Sequence, residues 1–230
     1  MPGLVPGTNK CSGTNGRAQP GHYVLCFRSW MLPMNCASRL RAPALAGALF
    51  FIFGSAAMAQ SGEAKAKFEP CTACHNANGI STTENIPSLA GQTDRYVQWQ
   101  LVYFRSSTRK SEIMNPIAES LSNEDVRDLG AYIAQLPPAE PAAPAHPDLV
   151  EKGSALAAQN RCSACHGEKL EGNGAAARLS GQREDYLLKA LQDFKAGKRV
   201  GGGMAAMADV VYPLSPDDLP ALAAYAASVH

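Results

Sequence analysis

Apolar residues recur three and four positions apart at Val97, Leu101 and Phe104, and again at Leu187, Leu191 and Phe194. A spacing near 3.6 predicts amphipathic helices over about Asp94 to Arg105 and Glu184 to Ala196. Two further pairs of helices follow from their start signals. Asp148 is placed to cap a helix from Leu149 to Asn160, with a weaker counterpart from Ser61 to about Glu69. Ser122-Asn-Glu-Asp125 and Ser215-Pro-Asp-Asp218 resemble capping boxes, with Asp where Glu is usual and Pro216 at the first helical position. No stretch alternates with the period of two that a half-buried strand needs. The fold class expected is all-α: two tandem domains of three helices each, joined by long loops that something other than regular structure must hold.

The pairing of these elements extends to the residues between them. Leu89-Ala-Gly91-Gln92 through Tyr96 matches Leu179-Ser-Gly181-Gln182 through Tyr186, and Leu121-Ser122 through Tyr132 matches Leu214-Ser215 through Tyr225. One domain is written twice, at a period too long for a solenoid. The expected boundaries are residues 60–136 for the first domain and 148–230 for the second. Between them residues 137–147 hold five prolines, the composition of an extended, semi-rigid spacer rather than a packed element. His146 in that spacer is expected to be a solvated linker histidine.

Residues 1–59 stand apart. Arg39 and Arg41 precede an apolar run from Ala42 to Ala57, and Ala57-Met58-Ala59 has the small-x-small order of a signal peptidase site. A cleaved leader ending before Gln60, and hence a periplasmic protein, is the expectation. The unbroken apolar core, Ala44 to Phe53, falls well short of the ~20 residues of a membrane span. Upstream of Arg39 no apolar period appears, and a start at Met31 or Met34 would give a leader of ordinary length. Removing residues 1–59 takes away five Lys/Arg and no acid, so the overall charge of +1 becomes 16 basic against 20 acidic side chains, a net of −4. Nucleic acid is an unsuitable partner for that surface. The same removal takes Cys11, Cys26 and Cys36 with it.

The four cysteines that remain all belong to two motifs, Cys71-Thr-Ala-Cys74-His75 and Cys162-Ser-Ala-Cys165-His166. Cys-x-x-Cys-His is the attachment signature of a c-type haem: two thiols add to the porphyrin and the adjacent imidazole ligates iron. Two covalent haem c groups are expected. A zinc site would need further cysteines or histidines at suitable spacing, and neither domain offers them. For the sixth ligand, a soft methionine thioether suits ferrous iron. Met114 and Met207 each stand eight residues before the serine that opens the third helix, so they are the expected ligands beside His75 and His166. Met204 is the rival in the second domain, where counting back from Ser215 gives it only Ser111 as a counterpart.

On these residues the chain resembles the class I cytochromes c and, as a duplicated, exported, two-haem protein, the cytochrome c4 family. The resemblance covers nearly all of residues 60–230. It implies two cytochrome c folds facing each other through their haem edges, His/Met coordination, and a periplasmic electron-carrying role between respiratory partners. Those partners would be a quinol-oxidising bc complex, a terminal oxidase or a periplasmic dehydrogenase. It also implies that the first and third helices cross at Gly62 with Tyr132 and at Gly153 with Tyr225. A proline after the motif commonly lends its carbonyl to the ligating histidine in such proteins; Pro87 fits, whereas Ala177 stands in its place in the second domain. A less firmly held His166, or one held by a different carbonyl, and unequal haem potentials are the resulting expectation. A haem-bearing subunit of a dehydrogenase or oxidase complex stays open, as does loose membrane association. A di-haem enzyme fits less well: a methionine at both irons closes the position a peroxidase must open, and no cysteine is left to serve as a ligand in sulfur oxidation.

Overall fold

The first module is built as a helix (α1, 62–68), the one-turn motif helix α2 (Thr72–His75), α3 (Asp94–Arg105), a short α4 (Met114–Glu119) and α5 (Asn123–Gln135). The second repeats the order with α6 (Val150–Gln159), α7 (Ser163–His166), α8 (Glu184–Lys195), α9 (Ala205–Val211) and α10 (Asp218–Ser228). This computed structural model describes residues 62–230; the expected leader and its cleavage point before Gln60 lie outside them. Among the described residues the only β-type pairings are isolated bridges, Arg109 with Arg199 and Asn173 with Ala176.

The long amphipathic helices fall where the apolar spacing puts them, and the two methionine segments do not. Both were expected as loops and both are helical: Met114 opens α4 and Met207 lies inside α9. Each helix is too short for a periodic signal to stand out. Asp148 does not cap α6; it sits in a 3₁₀ turn over Pro147–Leu149, and Leu149 occupies the cap position without a side-chain bond. Pro216 likewise lies in a turn before α10, which starts at Asp218 with Asp217 as its cap. Half of the expected box survives there: the Asp218 carboxylate accepts from the Ser215 N–H at 3.1 Å.

In α5 the box is complete. The Ser122 hydroxyl oxygen accepts from the Asp125 N–H (3.0 Å), and the Asp125 carboxylate accepts from the Ser122 N–H (2.9 Å). Those bonds to Ser122, with Lys67 at 3.2 Å, pull the Asp125 carboxyl from 3.8 to about 2. A depressed folded-state value contributes stability that is fully present above pH 3.8 and is lost as pH falls through about 2. Ser122→Ala is therefore expected to cost about 1 kcal/mol at neutral pH by urea denaturation. The gap in melting temperature between wild type and Asp125→Asn should close as the pH is lowered from 4 to 2.

Each core is small. Phe68, Val97, Leu129 and Ile133 centre the first, with Phe68 against Tyr132 at 5.4 Å between ring centroids. Phe194, Met204, Val211, Leu214 and Leu222 centre the main core of the second. Modules of this size bury little apolar surface unaided and gain from a large covalent group in the interior. In the second module α6 crosses α10 as expected: a Cβ on Gly153 would overlap the Ala221 carbonyl oxygen and lie 2.7 Å from Tyr225 Cβ. The first module differs. Gly62 has open space around it, so the expected contact of Gly62 with Tyr132 is not made.

The proline-rich segment forms neither helix nor strand before the 3₁₀ turn at Pro147, and it is seated on the modules. Gly91 (φ 69°) and Gly181 (φ 71°) turn the chain just before Gln92 and Gln182. A Cβ on Gly91 would lie 2.6 Å from Pro138 Cβ, and one on Gly181 would overlap the Ala139 carbonyl oxygen. Farther along, the Glu184 carboxylate takes hydrogen bonds from the Ala145 N–H (2.7 Å) and the His146 ring (2.6 Å). Glu184 raises the His146 pKa above its ordinary value, and the ring stays exposed, as expected of a linker histidine.

Candidate haem sites

The two motifs adopt one local shape. Each Cys-x-x-Cys-His coils into a single helical turn, and the chain reverses through a left-handed residue directly after the histidine: Asn76 (φ 62°) in one module, Gly167 (φ 85°) in the other. Burial is equal, with 7% of each imidazole residue exposed. The His75 Nδ1–H donates to the Pro87 carbonyl at 2.8 Å, and the His166 Nδ1–H donates to the Ala177 carbonyl at 2.7 Å. Burial pushes both imidazoles below their ordinary pKa, opposed by those backbone bonds. A neutral ring whose proton is held on Nδ1 leaves the Nε2 lone pair free for a metal.

The expectation that His166 is held less firmly, or by a different carbonyl, is thus corrected. The acceptor is a main-chain oxygen, which alanine supplies as well as proline, and in both modules it stands two residues before the leucine of the Leu-x-Gly-Gln segment. The ground for unequal potentials falls with it. Pro87→Ala is accordingly expected to leave the potential of the first haem nearly unchanged, as read by a spectroscopic redox titration.

In the first module Cys71, Cys74, His75 and Met114 line one cavity of about 920 Å³, walled by Val97, Leu101, Phe104, Leu129 and Ile133. Two thiols, an imidazole and a thioether around an apolar cleft of this size fit a covalently attached haem: the two thiols would bond the porphyrin, and the imidazole nitrogen and thioether sulfur would ligate its iron. The far wall comes from the second module and includes Tyr186 and Arg199. Two arginines stack on equivalent rings there, Arg109 on Phe104 (4.5 Å) and Arg199 on Phe194 (4.2 Å). Arg109 donates to the Tyr186 hydroxyl at 3.1 Å, while the buried Arg199 Nε has no partner. Burial acts to raise the Tyr186 pKa, but Arg109 and Arg199 outweigh it and draw the phenol down to about 8. An orphaned guanidinium donor beside a haem pocket fits the haem's carboxylates. The sequence carried a signal for this pair that the reading of motifs passed over: each arginine stands five residues after the phenylalanine it covers.

In the second module Met204 and Met207 part company. Met204 is 3% exposed and belongs to the core beside Val211 and Leu214, whereas Met207 is half-buried at the edge of that core; Met114 is half-buried too. Counted from the bridged Arg109 and Arg199, Met114 corresponds to Met204; counted from Ser122 and Ser215, it corresponds to Met207. Three extra residues therefore lie in the second module between those marks. Burial four residues on pairs Met114 with Met207, through the fully buried Ala118 and Val211 at 1% exposed, whereas the helix starts pair Met114, which opens α4, with Met204, the cap of α9. Among the described residues no three His, Cys, Asp or Glu side chains converge to hold a metal ion directly. No described helix is long and apolar enough to cross a membrane.

Two copies of one helical module, each presenting paired thiols and a neutral, carbonyl-held histidine, define a di-haem c-type cytochrome. The family model for cytochrome c matches twice, over residues 60–137 and 150–230. The cytochrome c4 of Azotobacter vinelandii is 35% identical, over 75% of this chain and 89% of that protein. A thiosulfate dehydrogenase electron acceptor of Stutzerimonas stutzeri (strain A1501) is 32% identical, over 69% of this chain and 78% of that protein. The crystal structure of reduced recombinant cytochrome c4 from Pseudomonas stutzeri superposes with a TM-score of 0.68 at 30% identity, covering 74% of this chain and 98% of that one. The chain belongs to the cytochrome c family and, within its di-haem class I members, to the cytochrome c4 family, and it carries two covalently bound haem c groups.

Proposed function

We propose that this protein is an exported electron carrier, periplasmic after cleavage before Gln60, that takes electrons from one redox protein and delivers them to another without transforming a substrate itself. Cys71 and Cys74 would hold the first haem and Cys162 and Cys165 the second. His75 with Met114, and His166 with Met207, would ligate the irons. The haem, when bound, supplies a one-electron couple whose potential is raised by methionine ligation. The protein's own part is to bury the imidazole, keep its proton on Nδ1 and wall the cavity with apolar side chains. It also faces the two sites toward each other across Arg109, Tyr186 and Arg199. The observation that carries this reading is the duplicated set of neutral, carbonyl-held histidines, each in a Cys-x-x-Cys-His turn with a methionine helix in the same module.

Two kinds of partner are in view, a terminal oxidase as acceptor and a sulfur-compound dehydrogenase as donor. The second is favoured by the relative named as a thiosulfate dehydrogenase electron acceptor. Mixing the oxidised protein with thiosulfate should produce no reduction, while adding a thiosulfate dehydrogenase should reduce both haems within the enzyme's turnover time. Reduction by thiosulfate alone would mean that the chain is an enzyme. Reduction by neither would remove this donor and leave the oxidase-side role to be tested by oxidation of the reduced protein with membranes.

A further inference from the structure

The two modules meet through a reciprocal pair of glutamine amides that the haem motifs do not account for. The Gln182 Oε1 accepts from the Ser88 N–H (2.8 Å), and its Nε2 donates to the Ser88 carbonyl (2.8 Å). In return the Gln92 Oε1 accepts from the Arg178 N–H (2.9 Å), and its Nε2 donates to the Arg178 carbonyl (2.6 Å). Both side chains are buried, 6% and 7% exposed, although glutamine is a residue that usually stays in solvent.

The peptides they grip are those that hold the histidines. Pro87 C=O and Ser88 N–H belong to one peptide group: its oxygen accepts from His75 Nδ1–H and its N–H donates to Gln182. Ala177 C=O and Arg178 N–H are likewise one group, between His166 and Gln92. A peptide whose N–H is engaged becomes a better acceptor at its carbonyl, since hydrogen bonds in a chain polarise one another. A stronger acceptor at Nδ1–H makes the imidazole a better donor to a metal, as partners behind a ligating histidine do. Each chain of bonds begins in one module and ends on the histidine of the other.

We infer that Gln92 and Gln182 are crossed positioning residues: Gln182 tunes the haem held by His75 and Gln92 tunes the haem held by His166, each from the opposite module. The inference rests on ligation by those two histidines. A more donating imidazole favours ferric iron, so loss of a glutamine amide raises the potential of the haem across the interface. Gln→Met keeps the volume and removes both polar atoms; Gln→Glu keeps an acceptor for the peptide N–H.

The test follows the Nδ1–H resonances of His75 and His166 by NMR through a redox titration of the intact di-haem protein. In wild type both signals should be shifted by the haem ring current, and their absence overturns the ligation reading and this inference with it. Gln182→Met should raise the reduced-to-oxidised ratio of the His75 haem at fixed potential by about two- to tenfold and leave the His166 haem in place; Gln92→Met should do the converse. Gln182→Glu should not raise the His75 haem. If each Met variant moves only the haem of its own module, moves both haems alike, or moves neither while the wild-type signals are present, the crossed assignment is wrong.

Discussion

Met114→Ala and Met207→Ala are each expected to lose half of the weak near-infrared charge-transfer band of the oxidised protein. Each should also lower the potential of one haem by on the order of 100 mV or more, within the ~0.8 V that axial ligation spans. The reason is the soft match of a thioether to ferrous iron. Met204→Ala supplies the contrast. Its side chain is 3% exposed among Val211, Leu214 and Phe194, so truncation leaves a hole and should cost about 2–5 kcal/mol of stability with the band intact. If Met204→Ala abolished the band and Met207→Ala spared it, the pairing made through Ala118 and Val211 would be wrong, and the pairing made through Arg109 and Arg199 right.

Gly153→Ala should be among the most damaging single-methyl changes in the chain. The added carbon would meet a main-chain carbonyl of α10, which cannot swing aside as a side chain tip can, together with the Cβ of Tyr225. About 3 kcal/mol, the upper end of overpacking costs, is expected for the second module, measured by thermal or urea unfolding followed at the haem band. Gly62→Ala, the substitution that the duplication would rank as its equal, meets nothing within 4 Å and should change stability by less than about 0.5 kcal/mol. Equal losses in the two variants would mean that α1 packs as α6 does.

That contrast shows where a repeated sequence stops being a repeated structure. The strong periodic helices were legible in the chain, because Val97, Leu101 and Phe104 and their counterparts must share a face whatever surrounds them. The capping box at Ser122 was legible too, since its bonds are local. Asp148 and Pro216 carry the same kind of local signal and are overruled by the 3₁₀ and turn residues beside them. In the haem sites, the motif names the cysteines and histidines outright. What spacing conceals is which atom matters. Pro87 and Ala177 differ as side chains and act alike as carbonyls, so a comparison of residue types predicts a difference that the backbone removes. The glutamine amides were visible as repeated letters, but their partners lie in the other module, at separations that no local pattern encodes.

The measurement that bears most directly on the whole account is a haem count by mass on the mature protein, paired with its oxidised absorption spectrum. Two haems per chain with a near-infrared band of twice the single-site intensity, removed by half in either Met114→Ala or Met207→Ala, is the predicted result. One haem per chain, or two haems with a high-spin spectrum and no such band, would contradict it.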